Sequence, residues 1–439
     1  MGLGNGPEDR KKLGILPTPS GPLELQTYAV DKDVHLIVDA CATLRGRTCG
    51  ATFSHSPISV ARAALTDVCA DLGPAAKNAI LYWYFDITAS GTVSHVTPYR
   101  EDVARARSER SPVTQDEIRQ VLTFFKRPTL QSLATVDPHT NAFLSSSKIP
   151  WNLMYKTKES KTLAWRLLAA ALRHVMISLH AADRGTRMVV RESNGTTVHT
   201  FSAAGTCATT EEPYADVYGE ADLQVWHKAV QLHGKGQAVL LITIDTDIIL
   251  SFLASCNQFD SFIPLMLRLG SSHKKAQYYN VHALRDSYGE TIPRRLSKAF
   301  LIACNKTDYT DPVTKSGFLK KHVVSIFTAS RKAEDDIFTV QPGRGVVFNL
   351  KNTLALFLKF KPAETKYNAV AFVALLLKIM YVIEYYGLFW KTGSQPTGPD
   401  LPPDAASVDV KTFQRVFLPG DADSDGEICT EDGSAMVIE

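Results

Sequence analysis

Four carboxylates crowd one short segment, residues 218–250, which reads YGEADLQVWHKAVQLHGKGQAVLLITIDTDIIL. Glu220 and Asp222 open what reads as a helix, and Asp245 and Asp247 follow an apolar run that reads as a buried strand. Asp245 and Asp247 are two apart, so on an extended chain their side chains would leave on the same side. Gly219 permits a close approach of the helix start. Four hard oxygen donors in one region suit Mg²⁺ or Mn²⁺, which prefer carboxylates and water. Without cations, carboxylates this close repel one another.

The elements that must position these groups come from the apolar pattern. Residues 35–41 (HLIVDAC), 79–86 (AILYWYFD), 187–191 (RMVVR) and 238–245 (AVLLITID) read as buried parallel strands. Helical patterns separate them: residues 56–72 lie between the first two and 163–182 precede the third. Residues 220–233 precede the fourth, with Gly234 and Gly236 in the turn between. Strand and helix in alternation predict an α/β fold, with a central, mostly parallel, twisted sheet covered by helices on both faces. Asp39 sits near the carboxyl end of the first strand, and Asp86 and Asp245 close theirs. Open α/β sheets bind ligands at such ends. Asp also ends strands simply because it favours turns, but three in such apolar settings are costly unless paired or bound to metal.

The chain is long enough at 439 residues for one large domain with additions or for two domains. Residues 1–320 are read as the core, with a polar, basic, helical insertion at about 101–160. Residues 321–391 are read as a helical C-terminal extension packed on that core, and 392–439 as a Pro/Gly linker and a disordered acidic tail. The net charge of +3 is unevenly placed: residues 401–439 carry nine Asp and Glu against Lys411 and Arg415, a local −7 that leaves +10 elsewhere. A basic body suits a polyanion partner. Seven scattered cysteines without a C-x-x-C pair predict neither a disulfide framework nor a zinc site, and suit a reducing intracellular compartment. The first residues lack the apolar stretch of a secretory signal. The apolar stretch 369–390 contains Lys378 and Glu384, each worth roughly 2.5–3.5 kcal/mol against a position near a bilayer centre. It is read as a core helix, and no membrane partner is expected. Residues 421–432 (DADSDGEICTED) carry much of a calcium-loop pattern, but Asp432 stands where Glu is usual and the surroundings read as acidic tail.

The carboxylate motifs resemble those of the flap endonuclease and XPG-type 5′ nucleases, a PIN-like fold family. GEAD at 219–222, followed by an apolar strand and D-x-D, is similar to that family's internal motif, with Asp222 in place of its second Glu. LIVDACATL around Asp39 resembles its V-x-I-D-A-S segment. YFD ending at Asp86 resembles its F-D-G strand end, with Ile87 instead of Gly. LIACNKTDYTDPVTKSG resembles its late L-L-G-S-D-Y segment and adds Asp308. The resemblance implies seven metal ligands: Asp39, Asp86, Glu220, Asp222, Asp245, Asp247 and Asp308. They would hold two Mg²⁺ ions, with Mn²⁺ able to substitute. PYREDVARARSERS resembles the gateway helix, which would set Arg100 and Arg107 on the scissile phosphate; the same residues also read as a solvated basic helix. Met1-Gly2-Leu3 resembles the M-G-I start, placing Gly2 near DNA. Lys315, Lys320 and Lys321 would contact backbone phosphates. The chain departs from the family in keeping one glycine of the helix–hairpin–helix, at Lys315-Ser316-Gly317, and in lacking a match to the helical arch at 112–162.

The function so implied is a metal-dependent, structure-specific 5′ nuclease acting on branched or flapped DNA, with the nucleus as its place of work. The divergence from cellular members is of the kind a large DNA virus would show, which would make the place the host nucleus. The alternatives are an endoribonuclease of the same fold, as in viral host-shutoff relatives, and a non-catalytic nucleic-acid-binding protein on a retired nuclease fold.

Overall fold

The computed structural model describes most of residues 23–87, 138–212, 221–304 and 337–349, with isolated positions at 114–119 and 353–383. Its centre is an eight-stranded sheet. In chain order the strands are β1 (Val34–Asp39), β2 (Ala79–Tyr84), β3 (Arg187–Arg191), β4 (Thr197–Phe201), β5 (Cys207–Glu211), β6 (Ala238–Thr243), β7 (Leu265–Leu269) and β8 (Gln277–Asn280). They lie in the order β5-β4-β3-β2-β1-β6-β7-β8. The five strands from β3 to β7 are parallel, while β4 and β5 extend one side antiparallel and β8 caps the other. The α/β class and the mostly parallel sheet agree with the sequence pattern.

This strand order reverses in the middle. The chain begins at β1, steps outward through β2 and β3, then returns to the other side of β1 as β6. The crevice outside the carboxyl ends of β1 and β6 is therefore a topological switch point, the place where an open α/β sheet most readily takes a ligand.

Helices cover both faces. One face of the sheet presents Leu36, Val38, Leu81, Trp83, Leu240, Ile242 and Met266. They pack with α2 (Ala40–Thr48), α3 (Pro57–Cys69) and α6 (Lys158–His180) in one continuous core. The chain reaches β1 through a short helix, α1 (Leu23–Tyr28). The alternate residues, such as Ile37, Val239 and Leu241, are equally buried and face the other way. Helix α7 (Ala221–His233) lies against β1, β2 and β6, and α8 (Ile248–Ala254), α9 (Val281–Tyr288) and α10 (Ile292–Ala303) complete that layer. Strands β1, β6 and β7 are buried along their whole length, which is why β1 and β6 read as unbroken apolar runs. At the end of α7 the chain turns sharply into β6 at Gly236, whose φ of +78° favours glycine.

Two stretches differ from their sequence reading. The polar region up to residue 160 contributes α4 (Pro138–Ser146) and α5 (Trp151–Met154). Their Phe143, Leu144, Trp151 and Met154 belong to the main core, which the polar character read into 101–160 did not anticipate. Within the C-terminal part read as helical, Phe338–Gln341 and Gly345–Phe348 pair as an antiparallel hairpin, β9 and β10. Phe338 and Phe348 of that hairpin pack on Phe300 of α10. Leu376, Ile379 and Ile383, from the apolar C-terminal stretch, are fully buried. Among the described residues no helix is long and apolar enough to cross a membrane. The linker, the acidic tail and the calcium-loop pattern lie outside the described residues.

Candidate active site

Asp39 is the last residue of β1, in register with Tyr84 of β2, and Val38 is in register with Ile242 of β6. Asp39 is therefore level with Thr243. Asp86 and Asp245 each come two residues beyond that level, one on either flank of Asp39. Strands about 4.8 Å apart bring groups so placed to the same carboxyl edge of the sheet.

The local geometry explains how each is held. Asp39 is 3% exposed. Its Oδ1 accepts from the Ala42 amide at 2.9 Å, in the first turn of α2, and its Oδ2 accepts from the Thr243 hydroxyl at 3.0 Å. Burial, followed by the neighbouring Asp86 and Asp245 charges, pushes the Asp39 carboxyl up to about 7, although the two hydrogen bonds pull the other way. Asp86 is gripped from both layers. Its Oδ1 accepts from the Ala221 amide at the positive end of α7 at 3.2 Å. Its Oδ2 takes the ammonium of Lys161, from α6, at 3.3 Å. The Asp86 amide is 3.1 Å from Cys41 Sγ, and Gln224 of α7 donates to the Phe85 carbonyl at 3.1 Å, so helix and strand end are tied together.

Asp245 and Asp247 do not leave an extended chain on one side, as their spacing suggested. The Thr243 hydroxyl, already donating to Asp39, accepts the Asp245 amide at 3.0 Å. Asp245 Oδ1 in turn accepts the Asp247 amide at 3.1 Å. This side-chain-to-backbone bond turns the chain, and Asp247, at φ −66° and ψ −21°, already has helical backbone ahead of α8. Asp247 is consequently buried at 2% exposure, while Asp245 stays half-buried at the crevice. Asp222 lies in the first turn of α7, adjacent to the Ala221 amide that meets Asp86.

Of the residues singled out in the sequence, Asp39, Asp86 and Asp245 come together, Asp247 is linked to them through Asp245, and Asp222 stands at the neighbouring helix start. Glu220, Asp308, Arg100, Arg107, Gly2, Lys315, Lys320 and Lys321 lie outside the described residues. The sequence reading missed Thr243, Lys161 and Cys41. It also missed Lys274 and Lys275, exposed in the turn after the carboxyl end of β7. The signal for the last pair was a dibasic step, SSHKK, directly after an apolar run.

Among the described residues no three His, Cys, Asp or Glu side chains are grouped closely enough to hold a metal ion. The chemistry of the donors nonetheless fits a hard divalent cation. All are carboxylates, and the Asp39 carboxyl is held where its negative charge is disfavoured by burial and by like charges, the condition a cation relieves. No protein-family model matches the chain, and no curated protein matches it.

Proposed function

We propose that this chain is a metal-dependent nuclease that hydrolyses phosphodiester bonds in branched or flapped DNA. The observation that carries the reading is Asp39. It is a buried carboxylate at the switch point of the sheet, its carboxyl raised to about 7 by burial and by Asp86 and Asp245 from the flanking strand ends. The resemblance of seven ordered carboxylates to the 5′ nuclease pattern gives the reading its substrate class.

Asp39 and Asp86, with Asp245 beside them, are the described residues that would hold Mg²⁺ or Mn²⁺, and Glu220, Asp222, Asp247 and Asp308 complete the set the resemblance implies. Such ions, when bound, acidify a water and offset charge on the leaving oxygen. The protein's part is positional. Thr243 joins the Asp39 carboxylate to the Asp245 backbone, so the two strand ends are tied to each other. The α7 start holds Asp86 through the Ala221 amide. Lys274 and Lys275, exposed at the same carboxyl edge, supply positive charge for a sugar–phosphate backbone without reading its sequence.

The test is Asp245→Ala beside the parent protein, with 5′-flap DNA and single-stranded RNA as substrates in Mg²⁺ or Mn²⁺. Cleavage is expected to fall by roughly 100-fold or more, while binding measured without cleavage stays near the parent value. Equal cutting by the two proteins overturns the assignment. Faster cutting of RNA than of flap DNA moves the substrate to RNA and keeps the chemistry.

A further inference from the structure

Lys161 is the cationic neighbour of the site that no motif announces. It belongs to α6, on the opposite layer from α7, and reaches Asp86 Oδ2 at 3.3 Å. The side chain is about one-third exposed, and its ammonium lies 5.8 Å from the centre of the Trp165 ring, one helical turn further on. Trp165 is itself buried and tilted against Phe85, the residue before Asp86. The lysine stem is thus aimed by the same aromatic pair that packs the end of β2. Asp86 has little freedom to move away, because its amide is fixed near Cys41 and its other oxygen is taken by Ala221.

Resting on the metal-dependent reading above, we propose that Lys161 is a counter-cation built into the carboxylate site, which holds Asp86 while no divalent ion is bound and has to give up that oxygen when one arrives. A Mg²⁺ or Mn²⁺ ion held at this site would take carboxylate oxygens of Asp39 and Asp86 as ligands, Asp86 Oδ2 among those available. The Lys161 ammonium already occupies that oxygen, and a second positive charge brought to it would be repelled. Binding therefore replaces one cation by another. The exchange keeps the unloaded site from carrying uncompensated charge and sets the metal affinity below what the carboxylates alone would give. Lys161 is in this sense a positioning residue: it acts through Asp86 and on the ion's occupancy.

The experiment is calorimetric titration of Mn²⁺ into the metal-free full chain, with no substrate present. The parent, Lys161→Met, Lys161→Gln and Lys161→Arg are compared, and folding of each is checked by circular dichroism. Lys161→Met is expected to bind Mn²⁺ roughly two- to fivefold more tightly than the parent, the scale set by loss of one partly exposed cation. Lys161→Arg, which keeps the charge, is expected to stay near the parent. Should Lys161→Met fail to fold, Lys161→Gln is judged by the same criterion. Equal or weaker Mn²⁺ binding by the uncharged variants overturns the proposal while leaving the metal site in place. Absence of Mn²⁺ binding in the parent and in every variant removes the metal-dependent reading itself.

Discussion

Two buried carboxylate clusters sit against neighbouring strands of the sheet, and they are built on opposite terms. In the first, Asp67 and Asp71 receive Arg268, a fully buried arginine in the middle of an apolar strand, in register with Ile242 of β6. Arg47 pairs with Asp67 at 2.8 Å, the His273 amide donates to Asp67, and the Tyr278 hydroxyl donates to Asp71. Burial would raise the Asp67 carboxyl, but Arg268 and the His273 amide outweigh it and hold the group below the usual carboxylate range. In the second cluster Asp39 is met by a backbone amide and a hydroxyl, both neutral donors, and its carboxyl goes up to about 7. Burial pushes both carboxyls up, and only the partners differ in kind, guanidinium groups at Asp67 and neutral donors beside like charges at Asp39. A carboxylate matched by guanidinium groups is a fastener between α3, β7 and the turn after β7. One left beside other carboxylates, with neutral donors alone on its own oxygens, is where the proposed reading would place a divalent cation.

The contrast is most sharply broken at Arg268. Arg268→Met leaves buried Asp71 and part-buried Asp67 short of their main partner, and should destabilise the fold by about 3–5 kcal/mol, read from urea denaturation at neutral pH. A loss below about 1 kcal/mol would mean that Arg47, His273 and Tyr278 suffice, and that the first cluster is not the fastener described.

At Asp39 the sign reverses. The folded carboxyl lies near 7, above its ordinary 3.8, so between these values the folded protein binds more protons than the unfolded chain. Stability from this group therefore falls as pH rises from about 4 to 7 and stays low above it. Asp39→Asn removes that loss. In metal-free protein it should be more stable than the parent at pH 8 by up to about 4 kcal/mol, with the difference closing towards pH 4. Excess Mn²⁺ should cancel the advantage, because only the parent gains from the ion. Asp67 predicts the opposite trend: its lowered carboxyl contributes stability at neutral pH that is lost on acidification. An Asp39→Asn melting temperature that follows the parent at every pH would equate the two clusters.

The same contrast explains what the sequence made legible. Strands β2 and β3 announced themselves because short runs of apolar and aromatic residues mark them although alternate positions are only partly buried, and β1 and β6 because burial on both faces leaves nearly unbroken apolar runs. β7 was missed although it is equally buried, because LMLRL is interrupted by Arg268, whose charge is matched by residues about 200 positions earlier. β5 was missed for another reason: every residue of CATTE is exposed, so it carries no burial pattern at all. The carboxylates Asp39, Asp86 and Asp245 were found because strand ends are visible in sequence. Lys161 was not, because its partner lies 75 residues away on another element. The D-x-D pair was placed on an extended chain, and the bond from Asp247's amide to Asp245's side chain starts a helix there instead.

The smallest effect tests the link between the strands. Thr243 serves both aspartates with one oxygen, donating to Asp39 Oδ2 and accepting from the Asp245 backbone amide. Its hydroxyl is one of the forces holding the Asp39 carboxyl down. Thr243→Val keeps the shape and removes that oxygen. It should cost about 1–2 kcal/mol in metal-free protein at pH 8, and push the Asp39 carboxyl further upward, so that the fall in stability with pH extends to a more alkaline midpoint. Measured in the Asp39→Asn background, the same substitution should leave no pH-dependent component, since the charge it acts on is gone. If the pH-dependent part survives in that double variant, Thr243 acts by packing and not through Asp39, and the two carboxylates are not coupled by the hydroxyl between them.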